Sequence, residues 1–151
     1  MEETGETFAE NALLKARVIH ELVGCPVIAD DSGLCVDALG GAPGVYSARW
    51  SGEGDKANNE KLLRELEGVT DRSAQFVCVI AYLDENGASH TFTGVCRGEI
   101  GFEERGLFGF GYDPLFMIGG RSVAEMAPEE KDAVSHRGDA IRKLTEWLGE
   151  Q

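Results

Sequence analysis

Three short segments of this 151-residue chain carry side chains that could do chemistry together. The first is Asp30-Asp31, which follows the apolar Val27-Ile28-Ala29 and leads into Ser32-Gly33. Val27-Ile28-Ala29 reads as a short buried strand, and Asp30-Asp31-Ser32-Gly33 as the polar turn that ends it. Successive strand residues face opposite sides, so the two carboxylates form no dyad on one face. One points into a site and the other into its support. A carboxylate at a strand end beside glycine suits a hard cation such as Mg²⁺, or the removal of a proton from water. A turn in which aspartate caps its own backbone would use the same residues.

The second segment is Ser135-His136-Arg137-Gly138. Ser135 is a good helix N-cap, and the unpaired amides of a first helical turn favour an anion. Arg137 would add a bidentate fork for phosphate. Lys131 lies a few residues upstream, and in a chain with 14 basic residues the grouping of Lys131, His136 and Arg137 is informative. The alternative is a capped surface helix with solvated charges. The third segment is Phe110-Gly111-Tyr112-Asp113-Pro114. Its aromatic rings could stack on a nucleobase, Gly111 permits close approach, and Asp113 could accept hydrogen bonds from ring or exocyclic nitrogens. An aromatic cluster packed as satellite core would look the same. A cation-binding carboxylate, an anion-binding helix start and a stacking loop are together what a nucleotide polyphosphate needs.

Other chemistries lack their residues. No Gly-Lys-Ser/Thr completes a Walker A loop, no Gly-x-Gly-x-x-Gly turn follows a strand, and Gly-x-Ser-x-Gly is absent. The cysteines Cys25, Cys35, Cys78 and Cys96 have no C-x-x-C spacing and read as reduced, packed thiols. With 27 acidic against 14 basic residues the net charge is −13, which argues against coating duplex nucleic acid. No apolar run approaches the roughly 20 residues of a membrane span. The amino terminus, Met1 to Glu6, is acidic where a secretory signal would be basic, so the expected location is the cytoplasm.

The elements that must position these residues are legible in outline. The 42% hydrophobic share and the length indicate one packed domain spanning 1–151. Thr7-Phe8-Ala9-Glu10 matches a capping box and opens a helix to about Leu22, with Phe8, Ala12, Ala16, Ile19 and Val23 on its inner face and Gly24-Pro26 as the stop. Leu34 to Leu39 could be strand or helical turn. Gly40-Gly41-Ala42-Pro43-Gly44 is a loop needing unusual dihedrals. A second helix runs from about Asn58 to Glu67 on Leu62, Leu63 and Leu66, and Gly68 closes it. Ala74–Asp84 and Ser89–Ile100 are β-rich and joined through Asn86-Gly87, which signals a long antiparallel hairpin. Glu103 to Gly120 reads as a functional loop, its aromatics Phe102, Phe108, Phe110, Tyr112 and Phe116 spaced too irregularly for one buried face. A last helix opens at Ser135 with Ala140, Ile141, Leu144 and Leu148 inward, and Trp147 as a possible addition. The sum is an α/β fold, a mixed sheet with a long antiparallel hairpin flanked by helices.

The blocks Thr4–Ala12, Ala29–Leu34, Gly40–Arg49, Phe110–Phe116, Ala124-Glu125-Met126 and Lys131 with Ser135–Gly138 resemble the inosine triphosphate pyrophosphatase family. That resemblance implies Mg²⁺-dependent hydrolysis of non-standard purine nucleoside triphosphates (ITP, dITP, XTP) between the α- and β-phosphates, by a homodimer with an inosine triphosphate pyrophosphatase-like fold. It makes Asp31 the catalytic and metal-binding acid, with Glu2 or Glu3 as second metal ligand. It makes Ser32, Phe110, Gly111, Tyr112, Asp113, Lys131, His136 and Arg137 the substrate contacts. Family members carry a strand and a Thr/Ser-Gly-Asn-x-x-Lys loop ahead of the Thr4-Gly5-Glu6-Thr7 block. Their absence here implies an N-terminally truncated fold, with an exposed sheet edge, weaker phosphate grip and reduced or lost activity. Two alternatives follow, a catalytically impaired nucleotide-binding module and a purely structural acidic dimerisation domain.

Overall fold

A computed structural model of the chain describes residues 7–106 and 110–150. Glu2, Glu3 and the Thr4-Gly5-Glu6 part of the first block lie outside the described residues, as does Phe108. Helix α1 (Phe8–Val23) begins where Thr7, in extended conformation, accepts the Glu10 amide on Oγ1 at 3.1 Å. It ends at Gly24, whose left-handed backbone (φ 66°) lets its N–H reach the His20 carbonyl at 2.8 Å. Strand β1 (Val27–Val36) follows, and then two short 3₁₀ turns, Asp37–Leu39 and Gly44–Arg49. Helix α2 (Asp55–Glu65), strands β2 (Ser73–Leu83), β3 (Ser89–Ile100), β4 (Phe116–Ile118) and β5 (Arg121–Ser122), and helices α3 (Pro128–Val134) and α4 (His136–Gly149) complete the order. The strands form one five-stranded sheet in the order β1-β2-β3-β4-β5. Antiparallel pairing sets Ile100 opposite Phe116 and Met117 opposite Ser122. The β2–β3 turn closes on Asp84, whose Oδ1 accepts the amides of Asn86 and Ala88, both at 2.9 Å.

Contacts divide the chain into two compact units. The first comprises Met1–Ser32, Val77–Val95 and His136–Gln151. Its apolar cluster joins Cys78 and Ile80 of β2 to Ala140 and Leu144 of α4, with Tyr82, Phe92 and Trp147 packed alongside. α4 lies directly on β3 at Gly94, where any Cβ would overlap the His136 carbonyl oxygen and the Ala140 nitrogen. Polar bonds hold the same contact. Asp139 accepts the Val95 amide at 3.1 Å, and Lys143 donates to the Thr93 carbonyl at 2.7 Å. The second unit comprises Gly33–Phe76 and Cys96–Ser135. Its core gathers Leu34, Leu62, Leu66, Phe76, Ile100, Leu115 and Phe116, with the Phe76 and Phe116 rings 4.4 Å apart. Fully burying side chains of this size is worth about 1.5–3 kcal/mol each, which is where such a unit finds its stability.

Several sequence expectations need correction. Asp30-Asp31-Ser32-Gly33 is not a turn but the middle of the ten-residue β1, because the ladder continues through it to Val36. Leu34–Val36 is therefore strand, and only Asp37–Leu39 turns helically. α1 buries Asn11, Ala12 and Ala16, while Ile19 and Val23 stand exposed. α2 starts three residues earlier than expected and buries Asn58 and Asn59 with Leu62. The segment after Phe102 is partly core, since Tyr112, Leu115 and Phe116 are buried and β4 lies within it. In α4, Ile141 and Leu148 face outward, and Trp147 takes the inner place against Tyr82, His90 and Phe92. Helix α3, with Pro128 at its start, stands ahead of Ser135 where the sequence raises no expectation of a helix.

Candidate active site

The site residues fall into two clusters, one in each unit. In the first unit, the alternation of β1 sends Asp30 and Asp31 to different partners, as the sequence leads one to expect. Asp31 is buried at 7% exposure. Its Oδ2 accepts Asn11 Nδ2 at 3.2 Å, and its Oδ1 lies 3.5 Å from Lys15 Nζ. Lys15 also donates to the Asp30 carbonyl at 2.9 Å. Asn11 and Lys15 stand four residues apart on α1, so both reach the same stretch of β1. A buried carboxylate without such partners would carry a large desolvation cost, and here a cation and an amide offset it.

Asp30 faces α4. Its Oδ2 accepts Arg137 Nη2 at 2.8 Å and lies 3.9 Å from the buried thiol of Cys78, whose pKa burial pushes up. Arg137 sits in the first turn of α4, held there by the Gly94 contact with β3. Ser135 immediately precedes the helix with extended backbone (φ −69°, ψ 145°), the conformation of an N-cap. Ser32 Oγ, on β1 beside Asp31, is buried and has no nitrogen or oxygen partner among the described residues.

In the second unit, Phe110–Asp113 is a turn whose own groups are nearly all engaged. The Phe110 ring is 73% exposed, and Lys131 Nζ stands 4.6 Å from its centroid. The same ammonium donates to Asp113 Oδ2 at 2.7 Å, and that oxygen accepts the Phe110 amide at 3.1 Å. Gly111, at φ 59°, donates its N–H to Asp55 Oδ2 and accepts Asn59 Nδ2 on its carbonyl, each at 3.0 Å. Tyr112 turns inward, and its hydroxyl donates to the Ser47 carbonyl at 2.6 Å. Burial pushes the Tyr112 pKa up, and the Asp55 charge adds to the shift.

Lys131 and Arg137 are both engaged in ion pairs. Each cation meets a carboxylate of its own unit, Lys131 with Asp113 and Arg137 with Asp30. The arrangement also changes what Tyr112 can contribute, because its phenol is committed to the Ser47 carbonyl. The exposed ring of the turn is that of Phe110.

The model of the Ham1 family matches residues 1–147. The chain belongs to the Ham1 family. A dITP/XTP pyrophosphatase of Geobacter sulfurreducens is 54% identical over 157 residues, covering 100% of this chain and 79% of that protein. A dITP/XTP pyrophosphatase of Staphylococcus epidermidis is 53% identical over 156 residues, covering 100% and 80% respectively. Among solved structures, the Staphylococcus aureus Ham1 protein superposes with a TM-score of 0.95 at 48% identity, over 99% of this chain and 81% of that one.

Sequence reasoning missed four residues of the two clusters in this Ham1-family chain: Asn11, Lys15, Asp55 and Asn59. Asn11 and Lys15 carried a signal in their spacing, a polar pair running beside the alanines Ala12 and Ala16 on the inward side of α1. Asn59 carried one too. It is a poor helix former placed four residues before Leu63, on the buried side of a helix that otherwise packs leucines. Asp55 had none beyond its place at the start of α2.

The donor set bears on the expected Mg²⁺. Among the described residues there is no group of three or more His, Cys, Asp or Glu side chains that could hold a metal. Mg²⁺ is commonly held by one or two carboxylates with phosphate oxygens and water completing its shell, and a buried aspartate of oxygen-donor character fits that kind of site.

Proposed function

We propose that this Ham1-family chain is a pyrophosphatase that hydrolyses the non-standard purine nucleoside triphosphates dITP, ITP and XTP to the monophosphate and pyrophosphate. The observation that carries this reading is the match along its whole length to relatives named dITP/XTP pyrophosphatases, at about half identity, beside a buried Asp31 held by Asn11 and Lys15. A catalytically impaired binding module is not favoured, since the alignments to three such relatives cover 98–100% of the chain.

In this reading Asp31 takes the proton of the attacking water, or orients that water, and Lys15 and Asn11 hold the carboxylate in place. Ser32, His136 and Arg137 contact the phosphate chain, with the guanidinium spreading its charge over phosphate oxygens. Phe110 supplies a face for the purine, and Gly111, Tyr112, Asp113 and Lys131 shape the surroundings that read its edge. Asp31, with Glu2 as a second ligand outside the described residues, would hold Mg²⁺, which when bound offsets charge at phosphorus. A homodimer and a cytoplasmic location belong to the same proposal. The second is supported by the substrate, drawn from the nucleotide pool, and by the absence among the described residues of any helix long and apolar enough to cross a membrane.

The test is pyrophosphate release from ITP, XTP, ATP and GTP, with Mg²⁺ and with chelator, by the chain and by its Asp31→Asn variant. Release confined to ITP and XTP, dependent on Mg²⁺ and lost in the variant, is the expected result. Equal release from ATP would overturn the substrate assignment, and full activity of Asp31→Asn would overturn the role of Asp31. Light scattering on the purified chain tests the dimer.

A further inference from the structure

The backbone on both sides of Gly111 is held by one helix. The N–H of the Phe110–Gly111 peptide is taken by Asp55 Oδ2 and the C=O of the Gly111–Tyr112 peptide by Asn59 Nδ2, each at 3.0 Å, and the two side chains stand four residues apart on α2. With one bond on each of the two peptides that meet at Gly111, neither can turn about this glycine without breaking its bond. The flanking residues are tied as well, Phe110 by its amide to Asp113 and Tyr112 by its phenol to the Ser47 carbonyl. The direction of the exposed Phe110 ring therefore depends on α2.

The cost of the arrangement marks it out. Asn59 is 3% exposed, and its Oδ1 has no hydrogen-bond partner among the described residues. A buried acceptor without a partner opposes folding. A leucine side chain at this position would carry no such acceptor. What asparagine supplies is the donor to Gly111.

We propose that Asp55 and Asn59 are positioning residues that set the base selectivity of the Phe110–Asp113 turn, through the orientation of the two peptides that meet at Gly111. The inference rests on the reading of that turn as the purine-recognising element. A site whose polar groups are fixed to match one edge pattern penalises the wrong one, because fixed groups cannot turn to pair with it. With either peptide released, the turn adapts to either a 6-oxo or a 6-amino purine.

The experiment compares the unaltered chain with Asp55→Ala, Asp55→Asn and Asn59→Leu. Calorimetry gives the Kd of ITP and of ATP, and pyrophosphate release gives kcat and KM for each. Asp55→Asn keeps an oxygen acceptor for the Gly111 amide and is the rescue variant. The expected result is a fall of about tenfold in the preference for ITP over ATP in Asp55→Ala and in Asn59→Leu, one hydrogen bond's worth, with Asp55→Asn retaining the preference. The change appears in Kd and KM, and kcat moves less. An unchanged preference in both Asp55→Ala and Asn59→Leu overturns the proposal whatever the melting temperatures do, and so does a loss in Asp55→Asn equal to that in Asp55→Ala. Because the Kd ratio is read without turnover, an unaltered chain that binds ITP selectively but releases no pyrophosphate would refute the enzymatic reading and still decide this one. A chain that binds neither nucleotide refutes both.

Discussion

Around Asp31 the working groups are side chains that meet other side chains, a carboxylate against an ammonium and an amide, a second carboxylate against a guanidinium and a thiol. In the Phe110–Asp113 turn the groups held in place include backbone, the Phe110 amide by the turn's own Asp113 and the Gly111 amide and carbonyl by Asp55 and Asn59 of α2, while the Ser47 carbonyl takes the Tyr112 phenol. The first arrangement concentrates charge on a rigid strand, where an electrostatic effect on a reacting centre is strongest. The second fixes a shape. Under the proposed function the Asp31 cluster sets rate and the turn sets choice of base, and each proposal can be broken separately.

The largest expected effect comes from Asp31→Asn. The change keeps shape and removes the proton acceptor, so kcat should fall by about 10²–10⁴. Binding of ITP, followed by calorimetry, should persist, and the preference for ITP over ATP should survive in Kd. A lost preference would join the two clusters functionally and end the division of labour. Next comes Gly94→Ala, which acts on the Asp31 cluster from behind. The added Cβ overlaps the His136 carbonyl and the Ala140 nitrogen, so α4 must shift on β3 and carry Arg137 away from Asp30. Overpacking of this kind costs about 1–3 kcal/mol, a fall of roughly 2–12 °C in Tm for a chain of this size. KM for every triphosphate should rise together, without a change in base preference.

Lys131→Met sharpens the comparison from the other side. The methionine keeps an unbranched side chain and removes the ammonium from both the Phe110 ring and Asp113. kcat/KM for ITP should fall about tenfold, in line with losing one charge-assisted bond, and the loss should lie in KM. A fall confined to kcat would place Lys131 with the rate-setting groups instead.

How much of this could be read from the sequence differs between the clusters for a physical reason. Asp31 and Arg137 were legible because ionisable residues in a strand and at a helix start have few roles, and the spacing of the apolar residues fixes their elements. The partition of the cations was not, because the pairing of Lys131 with Asp113 and of Arg137 with Asp30 is tertiary. The same limit hid β1. Asp30-Asp31-Ser32-Gly33 has turn composition, and only the place of β1 beside β2 in the sheet keeps those residues extended. Asp55 and Asn59 were hidden further still, since their partner is the backbone of a glycine more than fifty residues away that has no side chain to betray the contact.

The smallest effect expected is a pH dependence that belongs to the support of the first cluster alone. The Val95 amide, with help from Lys143 and Arg142, holds the Asp139 carboxyl below its ordinary value. A carboxyl whose pKa is lower in the folded than in the unfolded chain adds stability above the unfolded value, near 3.9, and loses it as pH falls through the folded one. Asp139→Asn should therefore melt a few degrees below the unaltered chain at pH 7, and the gap should narrow steadily as the pH is lowered below about 4. Because Asp139 acts on the seat of α4 against β3, base preference at pH 7 should not move. Melting curves between pH 3 and pH 7 on both proteins check the first expectation, and a gap that widened toward acid would reverse the sign assigned to Asp139. If base preference shifted with the melting point, the brace on α4 would be shaping the turn as well, and the two clusters would have to be treated as one.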